Sequence, residues 1–154
     1  MYGIIATWRM ALEGISKADS MLKNNESAAD SIEEAIKAVE DFEYYKSVGY
    51  GGLPNEEMEV ELDAAFMDGD TLEFGCVGGI KDFANPVSIA RSLMHYDANN
   101  FLIGQGSEKY ASRHGFERKT MLTDRAKIHY HNRTKEITNT ELKPYSGHDT
   151  VGMV

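Results

Sequence analysis

Apolar and polar positions alternate in blocks that predict most of the elements. Gly3-Ile4-Ile5-Ala6 leads into Thr7-Trp8-Arg9, and this short apolar run predicts a buried first strand. Ala11, Leu12, Ile15, Ala18, Met21 and Leu22 then recur at helical spacing, with Asn24-Asn25 as the stop. Ser27 caps a second helix, with Asp30 at its third position and Ala29, Ile32, Ile36 and Val39 as one stripe. The opposite face carries Glu33, Glu34, Lys37 and Glu40 and is expected to be solvated. Ser47 to Asn55 holds three glycines and Pro54, which predicts a loop.

Beyond the loop, Val60, Leu62, Ala64 and Phe66 alternate with Glu59, Glu61, Asp63 and Ala65, the period of a half-buried strand. Asp68-Gly69 is a hairpin turn signal, and Leu72, Phe74 and Cys76 alternate on the return, so 58–78 reads as an antiparallel hairpin with Cys76 in the core. Asn85 is expected to cap a helix that has Pro86 at its first position and Val87, Ala90, Leu93 and Met94 on its buried stripe. Asn100 to Gly104 predicts a short buried strand, and 107–114 a helix closed by Gly115. The polar stretch 123–140 predicts a surface helix fraying into a flexible linker. The order implies helices packed on a largely antiparallel sheet, an α+β chain.

Composition narrows the function. The 154 residues are 42% hydrophobic and 27% charged, the make-up of a globular chain. A net charge of −9 argues against nucleic acid and membrane partners. The lone Cys76 and the lack of a basic leader or a long apolar run make a soluble, cytoplasmic setting the expectation.

Candidate chemistry is sparse before the last segment. His129-Tyr130-His131 is the densest histidine pair, but a helix-like setting without a Cys or Asp cluster does not complete a metal shell. His95 and His114 suit helix ends. Gly49-Tyr50-Gly51-Gly52 lacks the Lys and Thr of a phosphate loop and is taken as a structural turn. Tyr145-Ser146-Gly147 reads as a small, flexible approach to His148-Asp149-Thr150-Val151-Gly152-Met153-Val154, where Thr150 is expected at the start of an apolar strand. By itself that Thr is an ordinary strand-entry residue.

His148-Asp149-Thr150-Val151-Gly152-Met153-Val154 resembles the self-cleavage site of the glycosylasparaginases, a branch of the N-terminal-nucleophile hydrolases. Ser47 to Asn55 resembles that family's glycine loop, and Leu62-Asp63-Ala64-Ala65-Phe66-Met67-Asp68-Gly69 the hairpin that follows it. Ile80-Lys81 through Asn85-Pro86-Val87-Ser88-Ile89-Ala90-Arg91 resembles the next helix start, and Thr7-Trp8 the first strand.

The resemblance implies an αββα four-layer sandwich of which this chain is the N-terminal half, with 1–149 as the α-subunit part and 150–154 as the first residues of the β subunit. It implies self-cleavage between Asp149 and Thr150, assisted by His148 and the Asp149 carboxylate, and then use of Thr150 as an N-terminal nucleophile. Trp8 corresponds to a family residue lining the substrate site, although a sole Trp near a strand end is equally a core residue. Met10 stands where relatives often carry an aromatic side chain.

The implied reaction is hydrolysis of the side-chain amide of N4-(β-N-acetylglucosaminyl)-L-asparagine, with L-asparagine secondary. It calls for no metal or cofactor, and for a separate β half within a dimer of αβ units. The alternatives are an isoaspartyl peptidase/L-asparaginase of the same superfamily, or a non-catalytic half-chain acting as scaffold. The segment by itself is expected to be inactive.

Overall fold

The computed structural model describes residues 1–139 and 150–154. Its elements are a 3-10 turn (Arg9–Ala11), α1 (Leu12–Lys23), α2 (Ala28–Glu40), β1 (Glu61–Met67), β2 (Phe74–Lys81), α3 (Pro86–Leu93), β3 (Phe101–Ile103), α4 (Gln105–Arg113) and α5 (Asp124–Asn139). The chain is α+β, as expected. The linker anticipated after α5, with His148 and Asp149, lies outside the described residues.

The helix starts follow local chemistry. Ser27 Oγ accepts the Asp30 backbone N–H at 3.0 Å and so satisfies one of the N–H groups that a helix leaves open at its first turn. Pro86 opens α3, where its missing N–H costs nothing. Asn85 departs from the expectation: it is left-handed (φ 49°) and makes no side-chain cap. Its amide donates instead to Glu40 (3.3 Å) and Asp41 (3.1 Å) at the end of α2.

β1 and β2 pair antiparallel around the Asp68 turn, with an irregularity between Leu62 and Ala64. β3 joins β2 in parallel, in the order β1-β2-β3. The sheet is therefore mixed, not largely antiparallel. The reason is connection length: α3 fills the path from β2 to β3 and returns the chain in the same direction.

The core lies between one sheet face and α3 and α4, and holds Leu62, Phe66, Val77, Ile80, Phe83, Val87, Ile89, Ala90, Leu93, Tyr110 and Met121. On β2 the faces are opposite to the sequence expectation. Leu72 and Phe74 are exposed and Cys76 is half-buried, whereas Gly75 and Val77 face α3. A Cβ at Gly75 would lie 2.0 Å from the Ala90 carbonyl oxygen, so the absence of a side chain is what lets α3 approach the strand. Apolar alternation misreads such a strand, because glycine carries no hydrophobic signal.

The other sheet face exposes Phe74, Phe101, Ile103 and Met67. β3 is thus a largely exposed edge and not a buried strand. The N-terminal segment corrects the sequence reading too, for Ile5 and Thr7 are exposed and residues 5–7 form only a short ladder with 152–154.

Arg91 ties α2 to α3. It pairs with Glu33 and, at 2.7 Å, with Asp30, while Ser88 also donates to Glu33. The bonds from Ser27 and Arg91 hold the Asp30 carboxyl below its ordinary range.

Candidate active site

Thr150 is exposed and lines a cleft of about 160 Å³ formed where four elements meet. The end of α2 contributes Ile36 and Glu40, the glycine loop Ser47 to Gly49, β1 Glu61 to Ala65, and the start of α3 Pro86 and Val87. Thr150 and Val151 close the cleft from the far end of the sequence.

Each wall has a local cause. The glycine loop returns tightly onto α2, where the Tyr50 N–H donates to the Glu40 carbonyl at 2.7 Å. Gly49 has φ 61°, and a Cβ there would sit 2.1 Å from that same carbonyl oxygen. Only glycine fits both constraints. The loop is further held by the Gly51 N–H donating to the Met121 carbonyl (2.9 Å) and the Leu53 N–H to Lys46 (2.7 Å).

Glu40 is the site residue that the sequence reading placed wrongly. It was expected on the solvated face of α2 but is only 4% exposed. Its carboxylate accepts the Val87 N–H at 3.2 Å and the Asn85 amide at 3.3 Å, at the N-terminus of α3. Burial pushes its carboxyl up to about 8, a rise that those two hydrogen bonds oppose and the nearby Asp41 and Glu33 carboxylates reinforce. The signal was present in the spacing: Ile32, Ile36, Val39 and Glu40 follow i, i+4, i+7, i+8, one helical stripe.

The segment bearing Thr150 is fixed by backbone pairing. Ile5 and Val154 exchange N–H···O bonds of 2.8 and 2.9 Å, and the Thr7 N–H donates to the Gly152 carbonyl at 2.9 Å. The Gly152 N–H in turn donates to Thr7 Oγ1 at 2.8 Å. Trp8 follows at φ 67° and ψ 151°, a region that costs a side-chain-bearing residue about 1–3 kcal/mol. Trp8 is 42% exposed, so it is not the core residue that one reading of the sequence allowed. It does not line the cleft with Thr150.

Such a site can position a hydroxyl beside an electrophile. Among the described residues no group of three or more His, Cys, Asp or Glu side chains is arranged to hold a metal. His129 and His131 lie on α5. The structure thus brings Thr150 together with the glycine loop, β1 and α3, the segments singled out in the sequence.

Residues 6–154 match the family described as Asparaginase. The chain is 30% identical over 151 residues to N(4)-(beta-N-acetylglucosaminyl)-L-asparaginase of Elizabethkingia miricola, covering 98% of this chain and 44% of that protein. It is 36% identical over 124 residues to isoaspartyl peptidase/L-asparaginase of Rattus norvegicus, covering 76% and 37%. Plant-type L-asparaginase of Thermococcus kodakarensis is 37% identical over 121 residues, with 79% and 35% covered. The chain therefore spans less than half the length of these curated relatives.

Proposed function

The chain belongs to the type 2 asparaginase family of N-terminal-nucleophile hydrolases, whose members are asparaginase-type amidohydrolases, and from that premise we propose that it supplies the N-terminal half of a self-activating amidohydrolase with Thr150 as nucleophile. In this reading 1–149 form the α part of an αββα sandwich, Thr150 begins the β part, and the working unit is a dimer of αβ pairs in the cytoplasm. The observation that carries the reading is that Thr150 lines one cleft with the glycine loop, β1 and the start of α3.

Activation proceeds by attack of Thr150 Oγ on the Asp149 carbonyl carbon. The peptide C–N bond breaks as the ester forms, and the nitrogen takes up a proton to become the free α-amine. Water then cleaves the ester, leaving Asp149 with a carboxylate and Thr150 with its hydroxyl restored. His148 and the Asp149 side chain assist these proton transfers.

In the mature enzyme the α-amine of Thr150 accepts the proton of its own hydroxyl. The hydroxyl oxygen attacks the side-chain amide carbon of an asparagine derivative, and the departing amine carries that proton away. Water hydrolyses the resulting β-aspartyl ester. Trp8 borders the substrate outside the nucleophile's own cleft.

The substrate is N4-(β-N-acetylglucosaminyl)-L-asparagine, with L-asparagine secondary. The match to the Elizabethkingia miricola protein over nearly the whole chain, through Thr150, supports that choice. The alternative substrate class, β-aspartyl peptides, is favoured by the higher identity to the isoaspartyl peptidase/L-asparaginase and plant-type relatives over shorter spans. Side-by-side kinetics on the self-cleaved protein carrying its β half decide between them. A kcat/KM for the glycosylated amino acid at least tenfold above that for a β-aspartyl dipeptide is expected, and the reverse order would overturn the choice.

A further inference from the structure

The ladder between residues 5–7 and 152–154 departs from regular antiparallel pairing at one atom. Ile5 and Val154 exchange both backbone hydrogen bonds, as a regular pair does. Thr7 and Gly152 stand opposite as the next such pair, and the Thr7 N–H donates to the Gly152 carbonyl at 2.9 Å. The returning bond is different. The Gly152 N–H donates to Thr7 Oγ1 at 2.8 Å, so a side-chain hydroxyl occupies the acceptor position that a backbone carbonyl holds in a regular ladder.

This exchange falls where the chain leaves strand geometry, at Trp8 with φ 67°. It falls also two residues after Thr150, at the start of the segment that carries it. Little else seals this ladder. Ile5, Thr7 and Thr150 are exposed, and Ala6–Met153 is an isolated bridge.

We infer that Thr7 is a positioning residue for Thr150: its hydroxyl ends the ladder at Gly152 and sets where the chain departs toward the nucleophile. A hydroxyl at the γ position serves here because its oxygen lies close to the backbone, and the β-branched stem of Thr leaves it few χ1 choices. The Thr7 hydroxyl bonds to the Gly152 backbone, two residues from Thr150, so it acts through placement. Placement matters for attack within the chain, since a misalignment of about 1 Å lowers such rates by about 100-fold. The inference rests on Thr150 being the nucleophile, as proposed above.

The test uses the complete precursor with its β half, as wild type, Thr7→Val and Thr7→Ser. Two quantities are followed: the rate at which a chain beginning at Thr150 appears, and the amide exchange rate at Gly152. Val keeps the shape and β-propensity of Thr and lacks the acceptor. Thr7→Val is expected to slow cleavage by about 10- to 100-fold and to speed Gly152 exchange, with an unchanged melting temperature. Thr7→Ser is expected to recover cleavage to within about threefold of wild type, since it restores the acceptor.

A Thr7→Val precursor that cleaves at the wild-type rate would overturn the inference, and so would a Thr7→Ser precursor as slow as Thr7→Val. A wild-type precursor that never cleaves counts against Thr150 as the nucleophile. In that case the exchange arm decides alone: faster exchange at Gly152 in Thr7→Val supports the hydroxyl lock, and unchanged exchange refutes it.

Discussion

The α3-facing side of the sheet and the seam between residues 5–8 and 150–154 are built on different physics. Around α3 the structure is held by burial: Ile80, Ile89, Ala90 and Leu93 are fully inaccessible, and Phe83 and Val87 nearly so. The seam has exposed side chains and is held by three backbone bonds and one hydroxyl. Burial is non-directional and gives stability, whereas hydrogen bonds fix where atoms lie but each adds only about 1 kcal/mol net. The molecule thus places its proposed nucleophile on the part that is ordered by geometry and contributes little to holding the fold.

The largest effects are expected on the buried side. Ile80→Ala or Leu93→Ala removes a fully buried side chain, and denaturant unfolding should show a loss of about 2–5 kcal/mol. Thr150→Ala, in the seam, should change stability by less than about 0.5 kcal/mol, as an exposed substitution does. Equal losses at the two places would erase the distinction.

Glu40 stands between the two regions, buried like the core and lining the cleft like the seam. Burial raises its carboxyl from 4.5 in the unfolded chain to about 8 in the folded protein. Between those values the native state holds the proton more tightly than the unfolded state does. The stability from this group is complete below about pH 4.5, declines as pH rises, and is fully lost above about pH 8. The slope in that window is at most about 1.4 kcal/mol per pH unit. Glu40→Gln keeps a carbonyl acceptor for Val87 without the proton. Its stability relative to wild type should rise between pH 5 and pH 8 in thermal melts at stepped pH, and a flat difference would show that Glu40 does not titrate in the native protein.

Within the buried side, the smallest effect is at its edge. Ser27→Ala removes the α2 cap and should cost about 1 kcal/mol of stability with no change in cleavage at Thr150.

How far the sequence reached follows the same division. Signals carried by one residue and its neighbours were legible: the Ser27 cap, the Asp68 turn and Pro86 at the head of α3. Readings that depend on what packs on the far side of an element were not. β2 shows Gly75 to α3, so its apolar alternation pointed the wrong way, and β3 is an exposed parallel edge because α3 reverses the chain before it. Glu40 was misplaced because a carboxylate was assumed to seek water, although its spacing fitted the buried stripe. The candidate site was suggested by resemblance at His148-Asp149-Thr150, the glycine loop and the start of α3, and of these Thr150, the glycine loop and α3 line one cleft. The pairing of Thr7 with Gly152 joins residues 145 positions apart and left no local pattern.

The claim that binds these observations is that Thr150 is the nucleophile of a self-cleaving precursor. Intact-mass measurement of the purified precursor with its β half, together with its Thr150→Ala variant, tests this most directly. Two wild-type chains, the second beginning at Thr150, and a single uncut Thr150→Ala chain are the expected result. A wild-type chain that stays whole, or a Thr150→Ala chain that still divides after Asp149, would contradict it.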